Sequence, residues 1–190
     1  MPRTEEQFEE IREQRKGQIL DAALELFAHE GYFTTSISRI AQKAGISKGL
    51  MYNYFESKED LVIGIISKGM KLLMASYDRD QDGILTEEEF EFHIDENFRL
   101  LSAHPDYWKL YFAILMQPAV YKLVKEKFAD HLPRQRAVFE GYFERKGEQD
   151  PVTEALYLDA VFDGIILNYV MNPESFPLEQ MKELIIKRFK

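Results

Sequence analysis

The sequence predicts an all-α chain, an N-terminal three-helix domain of the helix-turn-helix kind followed by a C-terminal helical domain. Three observations carry that expectation. Apolar residues recur at spacings of three and four along most of the chain, the period of a helix with one buried stripe. No stretch keeps the strict alternation of a half-buried strand. Two short helical segments meet at the turn Ala44-Gly45-Ile46, close enough for the second to cross the first.

Each element has its own signal. The first helix is expected from about Glu9 to His29, with Ile19, Ala23, Leu26 and Phe27 on one stripe, and it stops at Glu30-Gly31, where glycine accepts the left-handed ending. Thr35 is a plausible N-cap for the second, whose inner face is Ile37, Ile40, Ala41 and Ala44. Ser47 caps a short third helix that runs through Tyr54. Ser57 opens a fourth, with Asp60 as the acidic partner of a capping-box-like pair. Beyond Tyr77 an acidic interruption, 78–89, leads to helices at about Thr86–Ala103, Pro105–Gln117 and Pro118–Lys146, the last kinked near Pro133. Asp150-Pro151 starts another helix to Met171, and Pro173 and Pro177 set off a C-terminal one. The expected division is a helix-turn-helix domain at 1–56 and a second helical domain at 57–190.

Composition narrows the function. With 190 residues, 45% hydrophobic and 30% charged, the chain can bury a core, and zero Cys excludes thiol nucleophiles and thiolate metal sites. The charged start does not read as a signal peptide, and Leu61–Ile66 is too short an apolar run to span a bilayer. A cytoplasmic protein with no membrane partner is expected. The net charge of −9 argues against nucleic acid only as a total. Between Ile11 and Lys58 seven basic residues face five acidic ones, a mildly cationic head on an acidic remainder.

The third helix offers Ser47, Lys48, Gly49, Tyr52 and Asn53 on its outer face, residue types that suit phosphates and base edges together. The segment Gly31–Leu61, GYFTTSISRIAQKAGISKGLMYNYFESKEDL, strongly resembles the N-terminal domain of tetracycline-repressor (TetR) family transcription regulators. The resemblance covers about a quarter of the chain. It implies a dimeric repressor whose two heads bind double-stranded palindromic operator DNA and whose C-terminal domain senses a small-molecule ligand. Carried over by position, it implies phosphate contacts from Thr35 or Ser36, from Tyr52 and Tyr54, and from Lys58, and base-facing roles for Ser38, Lys48, Gly49 and Leu50. Leu50 departs from the threonine usual in the family and offers a methyl contact in place of a hydroxyl. For Tyr52 and Tyr54 the competing reading is amphipathic packing, and Arg39 and Lys43 fit a solvated face.

The interruption reads Asp78-Arg79-Asp80-Gln81-Asp82-Gly83-Ile84-Leu85-Thr86-Glu87-Glu88-Glu89 and resembles a twelve-residue EF-hand calcium loop. Ligands to Ca²⁺ or Mg²⁺ would be Asp78, Asp80, Asp82, the Ile84 carbonyl and Glu89. No cofactor is otherwise required. Thr86 and Glu89 also make a capping box that needs no metal. The C-terminal aromatics, among them Trp108, Phe139, Tyr142 and Phe162, read as core first and as a ligand cavity only through the resemblance. The same holds for dimerisation through the last two helices, with Leu156, Ala160, Gly164 and Leu184. No catalytic motif is present, so an enzyme is not expected. The histidines lack metal spacing, and His93 reads as a hydrogen-bonded structural residue. The rival reading is a calcium-binding adaptor with an idle helix-turn-helix.

Overall fold

The computed structural model describes residues 5–78, 80 and 82–190, and these are helical with no strand among them. The helices are α1 (Glu5–Glu30), α2 (Ile37–Lys43), α3 (Lys48–Met51), α4 (Lys58–Met74), α5 (Glu87–Ala103), α6 (Pro105–Leu115), α7 (Pro118–Lys127), α8 (His131–Arg145), α9 (Pro151–Met171) and α10 (Leu178–Phe189). No described helix is long and apolar enough to cross a membrane.

The chain forms two compact units, and their boundary is not the single cut expected near residue 56. One unit joins 1–68 with 110–127, and the other joins 69–109 with 128–190. Two helices, α4 and α6, therefore belong partly to each.

The first unit is built on the buried stripe of α1, where Ile19, Ala23 and Phe27 are wholly inaccessible, together with Ile40 and Ala41 of α2, Met51, and Leu61, Val62 and Ile65 of α4. Burial of each Ile, Leu, Val, Phe or Met among them contributes roughly 1.5–3 kcal/mol. The helices approach closely at Gly64, where a Cβ would meet Leu20 Cδ2 at 2.9 Å and Phe55 Cε1 at 3.3 Å. Helix α2 is capped by Ser36, whose hydroxyl accepts from the Arg39 N–H at 3.3 Å, and not by Thr35. Ser47 caps α3 by accepting from the Leu50 N–H at 3.1 Å. Ser57 accepts from the Asp60 N–H, but the Asp60 carboxylate takes the Glu56 N–H instead of the cap's own.

The second unit stacks Tyr142 on Phe90, ring centres 4.9 Å apart, and packs Phe98, Trp108, Phe143, Leu158 and Phe189 into its core. The helix expected over 118–146 is two helices with a break at Phe128–Asp130. Pro133 gives the reason. Its nitrogen has no hydrogen for the Ala129 carbonyl and its ring crowds that carbonyl, so the chain restarts instead of kinking. Thr86 and Glu89 form the expected capping box on α5.

Candidate functional site

The recognition segment presents the flank that the sequence assigns to DNA. Ser47, Lys48 and Gly49 are exposed, and Leu50 and Tyr52 keep 39% and 47% of their surface, while Met51 between them is fully buried. One side of the segment is anchored in the core so that the other faces out. Ser36 and Ser38, at the start of α2, are also exposed to solvent.

Cations sort by what already holds them. Arg39 is paired with Glu30 at 2.6 Å and Lys43 with Glu25 at 2.5 Å, both on an exposed face. Lys48 has no ion pair or hydrogen bond among the described residues, so its ammonium is available to a phosphate or a base edge. Arg12 donates to the Asn53 carbonyl at 3.3 Å and lies 5.6 Å from the centre of the half-buried Tyr54 ring. Tyr54 thus takes part in packing, whereas Tyr52 stays open.

Two assigned phosphate contacts are placed differently. Thr35 is 1% exposed, and its hydroxyl donates toward the Gly31 carbonyl at 2.9 Å and the Leu26 carbonyl at 3.3 Å. Of Thr35 and Ser36, only Ser36 can reach solvent. Lys58 directs its ammonium to the carbonyls of Tyr32, Phe33 and Thr35 at 2.8, 3.2 and 3.0 Å. Three carbonyls occupy the three N–H bonds an ammonium has. Lys58 therefore shapes the turn between α1 and α2 and does not reach outward.

Tyr32 is the centre of that turn. Its hydroxyl donates to Glu59 Oε1 at 2.8 Å, the Lys58 ammonium lies 4.8 Å from its ring centre, and its ring packs against Phe27 and Phe33. Burial first, then the Glu59 carboxylate, pushes the Tyr32 phenol up to about 12. The Tyr32 N–H donates to Gln117 Oε1 at 2.8 Å, a contact with no signal in the sequence because 85 residues separate the partners.

The second unit holds a small apolar cavity of about 10 Å³ lined by Leu73, Asn97, Phe98, Leu101, Trp108, Phe162, Ile165 and Ile166. Asn97 is the single polar member, and no charged residue lines it. Asn97 Nδ2 donates to the Leu73 carbonyl at 3.1 Å and to the His93 carbonyl at 2.8 Å. His93 Nδ1 shares a 2.9 Å hydrogen bond with the buried Ser76 hydroxyl. Burial lowers the His93 pKa to about 4, so the imidazole is neutral near pH 7. His93 is the structural histidine expected, and its partners are Ser76 and Asn97.

In the acidic loop, carboxylate oxygens of Asp78, Asp80 and Asp82 lie within 4.8 Å of one another. Asp78 Oδ2 accepts from the Gly83 N–H at 3.2 Å, and its buried Oδ1 has no hydrogen-bond partner among the described residues. Gly83 has φ +78°, as the sharp turn requires. Ile84 is 45% exposed and its N–H donates to Asp82 Oδ1 at 2.7 Å. Glu89 Oε2 already accepts from the Thr86 N–H and hydroxyl at 3.0 and 2.8 Å, so two-oxygen ligation by Glu89 would open the capping box.

Comparison with known proteins places these features. Residues 19–65 match the tetR family of bacterial regulatory proteins, and residues 86–188 match the C-terminal part of BetI-type transcriptional repressors. The HTH-type transcriptional repressor SCO4008 of Streptomyces coelicolor is 31% identical over 176 residues, 92% of this chain and 84% of that one. The fatty acid metabolism regulator protein of Bacillus subtilis is 23% identical over 181 residues, covering 90% of this chain and 91% of that protein. The solved structure of FadR from Bacillus subtilis in complex with stearoyl-CoA shares the fold with a TM-score of 0.70 at 23% identity, covering 90% of this chain and 95% of that one.

Proposed function

Because the chain belongs to the TetR family of bacterial regulatory proteins, with a BetI-type repressor C-terminal part, we propose that it binds a palindromic operator as a homodimer and releases it when an apolar small molecule enters the helical C-terminal part. The observation that carries the DNA half is the outward flank of the recognition segment, where Lys48 stands exposed and uncommitted beside Gly49, Leu50 and Tyr52. Lys48 supplies charge to phosphate or a donor to guanine, and Leu50 supplies contact to a thymine methyl. No observation favours an adaptor with an idle helix-turn-helix.

The sensor half rests on the cavity. Its lining of aromatic and aliphatic groups with one amide suits an uncharged or acyl-chain ligand and disfavours an ion, since nothing charged lines it to offset desolvation. At about 10 Å³ it holds no more than a water and lies far below the usual ligand range of roughly 300–1,000 Å³, so any organic ligand must displace side chains such as Trp108 to enter. That need for displacement gives the ligand a differential effect on two conformations, which release requires. The similar regulator solved with stearoyl-CoA supports an acyl chain as the class to test first.

Dimerisation through α9 and α10 is supported by apolar residues left open in the protomer, Leu156 at 43%, Tyr157 at 50% and Leu184 at 57% exposure, and by the absence of neighbours within 4 Å of a Cβ at Gly164. We also propose that the loop 78–89 takes Ca²⁺ or Mg²⁺ through Asp78, Asp80 and Asp82, with the orphaned Asp78 Oδ1 as the supporting observation. Calorimetry with each chloride salt tests it. Heat in the wild type that is lost in Asp78→Asn supports the site, and no heat with either salt removes it.

Selection of bound duplexes from a random pool tests the main reading. Enrichment of a palindrome, weakened by added acyl-CoA or another apolar ligand that raises the melting temperature, is the expected result. Failure of any duplex to enrich at low salt would remove the DNA-binding role.

A further inference from the structure

Helix α1 ends at Glu30, and Gly31 follows with φ +88°, so that its N–H returns to the Phe27 carbonyl at 3.1 Å. That single bond is the simpler left-handed ending; in the alternative, Schellman, ending the glycine N–H moves to the Ala28 carbonyl and the next N–H closes a six-to-one hydrogen bond on Phe27. Here the next N–H belongs to Tyr32, and it goes elsewhere. It donates to Gln117 Oε1 at 2.8 Å, while Gln117 Nε2 donates to the Phe27 carbonyl at 2.9 Å. One side-chain amide, arriving from the residue just before α7, stands between the donor and the acceptor that would otherwise meet.

We propose that Gln117 is a positioning residue for DNA binding, its amide wedging the turn after α1 open in the form that presents α2 and α3; the proposal rests on the repressor reading given above. The turn has two arrangements because each satisfies the same backbone groups. In the wedged form Tyr32 N–H and Phe27 C=O are bridged by the amide. In the closed form they bond to each other, the Gly31 N–H passes to the Ala28 carbonyl, and the amide returns to water. Neither form leaves a buried polar group unpaired, so the free-energy gap between them is small enough for one side chain to decide.

The consequences for the head follow from chain length. Thr35 lies three residues past Tyr32, with its hydroxyl fixed to the Gly31 and Leu26 carbonyls, and Ser36, the N-cap of α2, is next. Closing the turn moves the stretch of chain that Lys58 holds by three carbonyls. Helix α6, which ends two residues before Gln117, also contributes Trp108 to the cavity, and α4, which starts with Lys58 and Glu59, contributes Leu73. Two of the helices that line the cavity are thus continuous in sequence with a group that grips this turn.

Two variants and one spectroscopic reading test the proposal. Gln117→Met keeps the length and apolar stem and removes both hydrogen-bonding atoms. Gln117→Glu keeps an acceptor for Tyr32 but sets a second anionic oxygen against the Phe27 carbonyl. The probe is a duplex enriched by the wild-type protein. Both variants are expected to bind it about tenfold more weakly, about 1.4 kcal/mol, at a temperature where both are fully folded. Isotope labelling of tyrosine nitrogen and phenylalanine carbonyl carbon reads the turn itself. A coupling across a Tyr32–Phe27 hydrogen bond is expected in Gln117→Met and absent in the wild type. Unchanged affinity in folded variants, or that coupling already present in the wild type, overturns the proposal. A lower melting temperature with unchanged affinity marks a purely structural role and overturns it as well. Should Gln117→Met not fold, Gln117→Glu and the wild-type coupling still decide. If the wild type enriches no duplex, the repressor reading fails on its own, and the coupling still shows whether the wedge exists.

Discussion

At the scale of single residues, two lysines of similar appearance do different work. Lys48 is free among the described residues, whereas Lys58 gives its whole ammonium to the carbonyls of Tyr32, Phe33 and Thr35. Lys48→Ala should lower the slope of log affinity against log salt by about one and relax the choice of sequence. Lys58→Met should leave that slope unchanged and instead cost roughly 1.5–3 kcal/mol of stability, because three carbonyls lose a charged donor. Salt titrations of DNA binding, with urea melts of each variant, check both. His93 carries a separate expectation. Its pKa is depressed to about 4 by burial, below its unfolded value, so the unfolded state binds the proton first and acid destabilises the fold. The contribution is complete above pH 6.5, the ordinary histidine value, and is lost as pH falls toward 4, in total about 3 kcal/mol. Urea melts from pH 7 down to about pH 4.5 should show the wild type losing most of this relative to His93→Gln; equal slopes would assign acid sensitivity to other groups.

At the scale of elements, local chemistry is legible wherever partners lie within a few residues. Ser47 capping α3, Thr86 and Glu89 boxing α5, and Asp150 capping α9, with a 3.1 Å bond from the Thr153 N–H, are all readable from short spacings. The shift of the α2 cap from Thr35 to Ser36 is not, because a buried threonine bonded back to Gly31 has the same sequence signature as a capping one. The carbonyls around Lys58 are hidden for a related reason: a motif position says where a residue falls but not what will surround it. Gln117 has no signal at all. The break at Phe128–Asp130 is half legible, since Pro133 marks it but does not say whether the helix bends or restarts. Pro133→Ala restores an N–H for the Ala129 carbonyl and removes the ring. It should extend helix across the break, raising far-ultraviolet helicity by about one turn. Leu132→Ala, one residue earlier, leaves the proline in place and should not.

At the scale of the whole molecule, the acidic total hides how charge is used. Most cations of the head are committed to neighbours, Lys16 to Glu13, Arg39 to Glu30, Lys43 to Glu25 and Lys68 to Asp21, which leaves few for the duplex. A single head with so few free cations binds weakly, and useful affinity then requires two heads on one operator. The proposed dimer places the second copy on α9 and α10. Leu156 on α9 and Leu184 on α10 stay 43% and 57% exposed in the protomer, on the pair of helices the sequence assigns to dimerisation. A carboxylate at both positions would have to be desolvated in a dimer but costs almost nothing in the protomer, where both sites face water. Leu156→Glu with Leu184→Glu should therefore sediment as a monomer with a near wild-type melting profile at low concentration. Its affinity for the palindromic duplex should fall by about a hundredfold or more, while affinity for an isolated half-site stays where it was. Loss of half-site binding as well would mean the substitutions had damaged the head. Retention of the dimer would move the interface away from α9 and α10 and leave their open apolar surface to another partner.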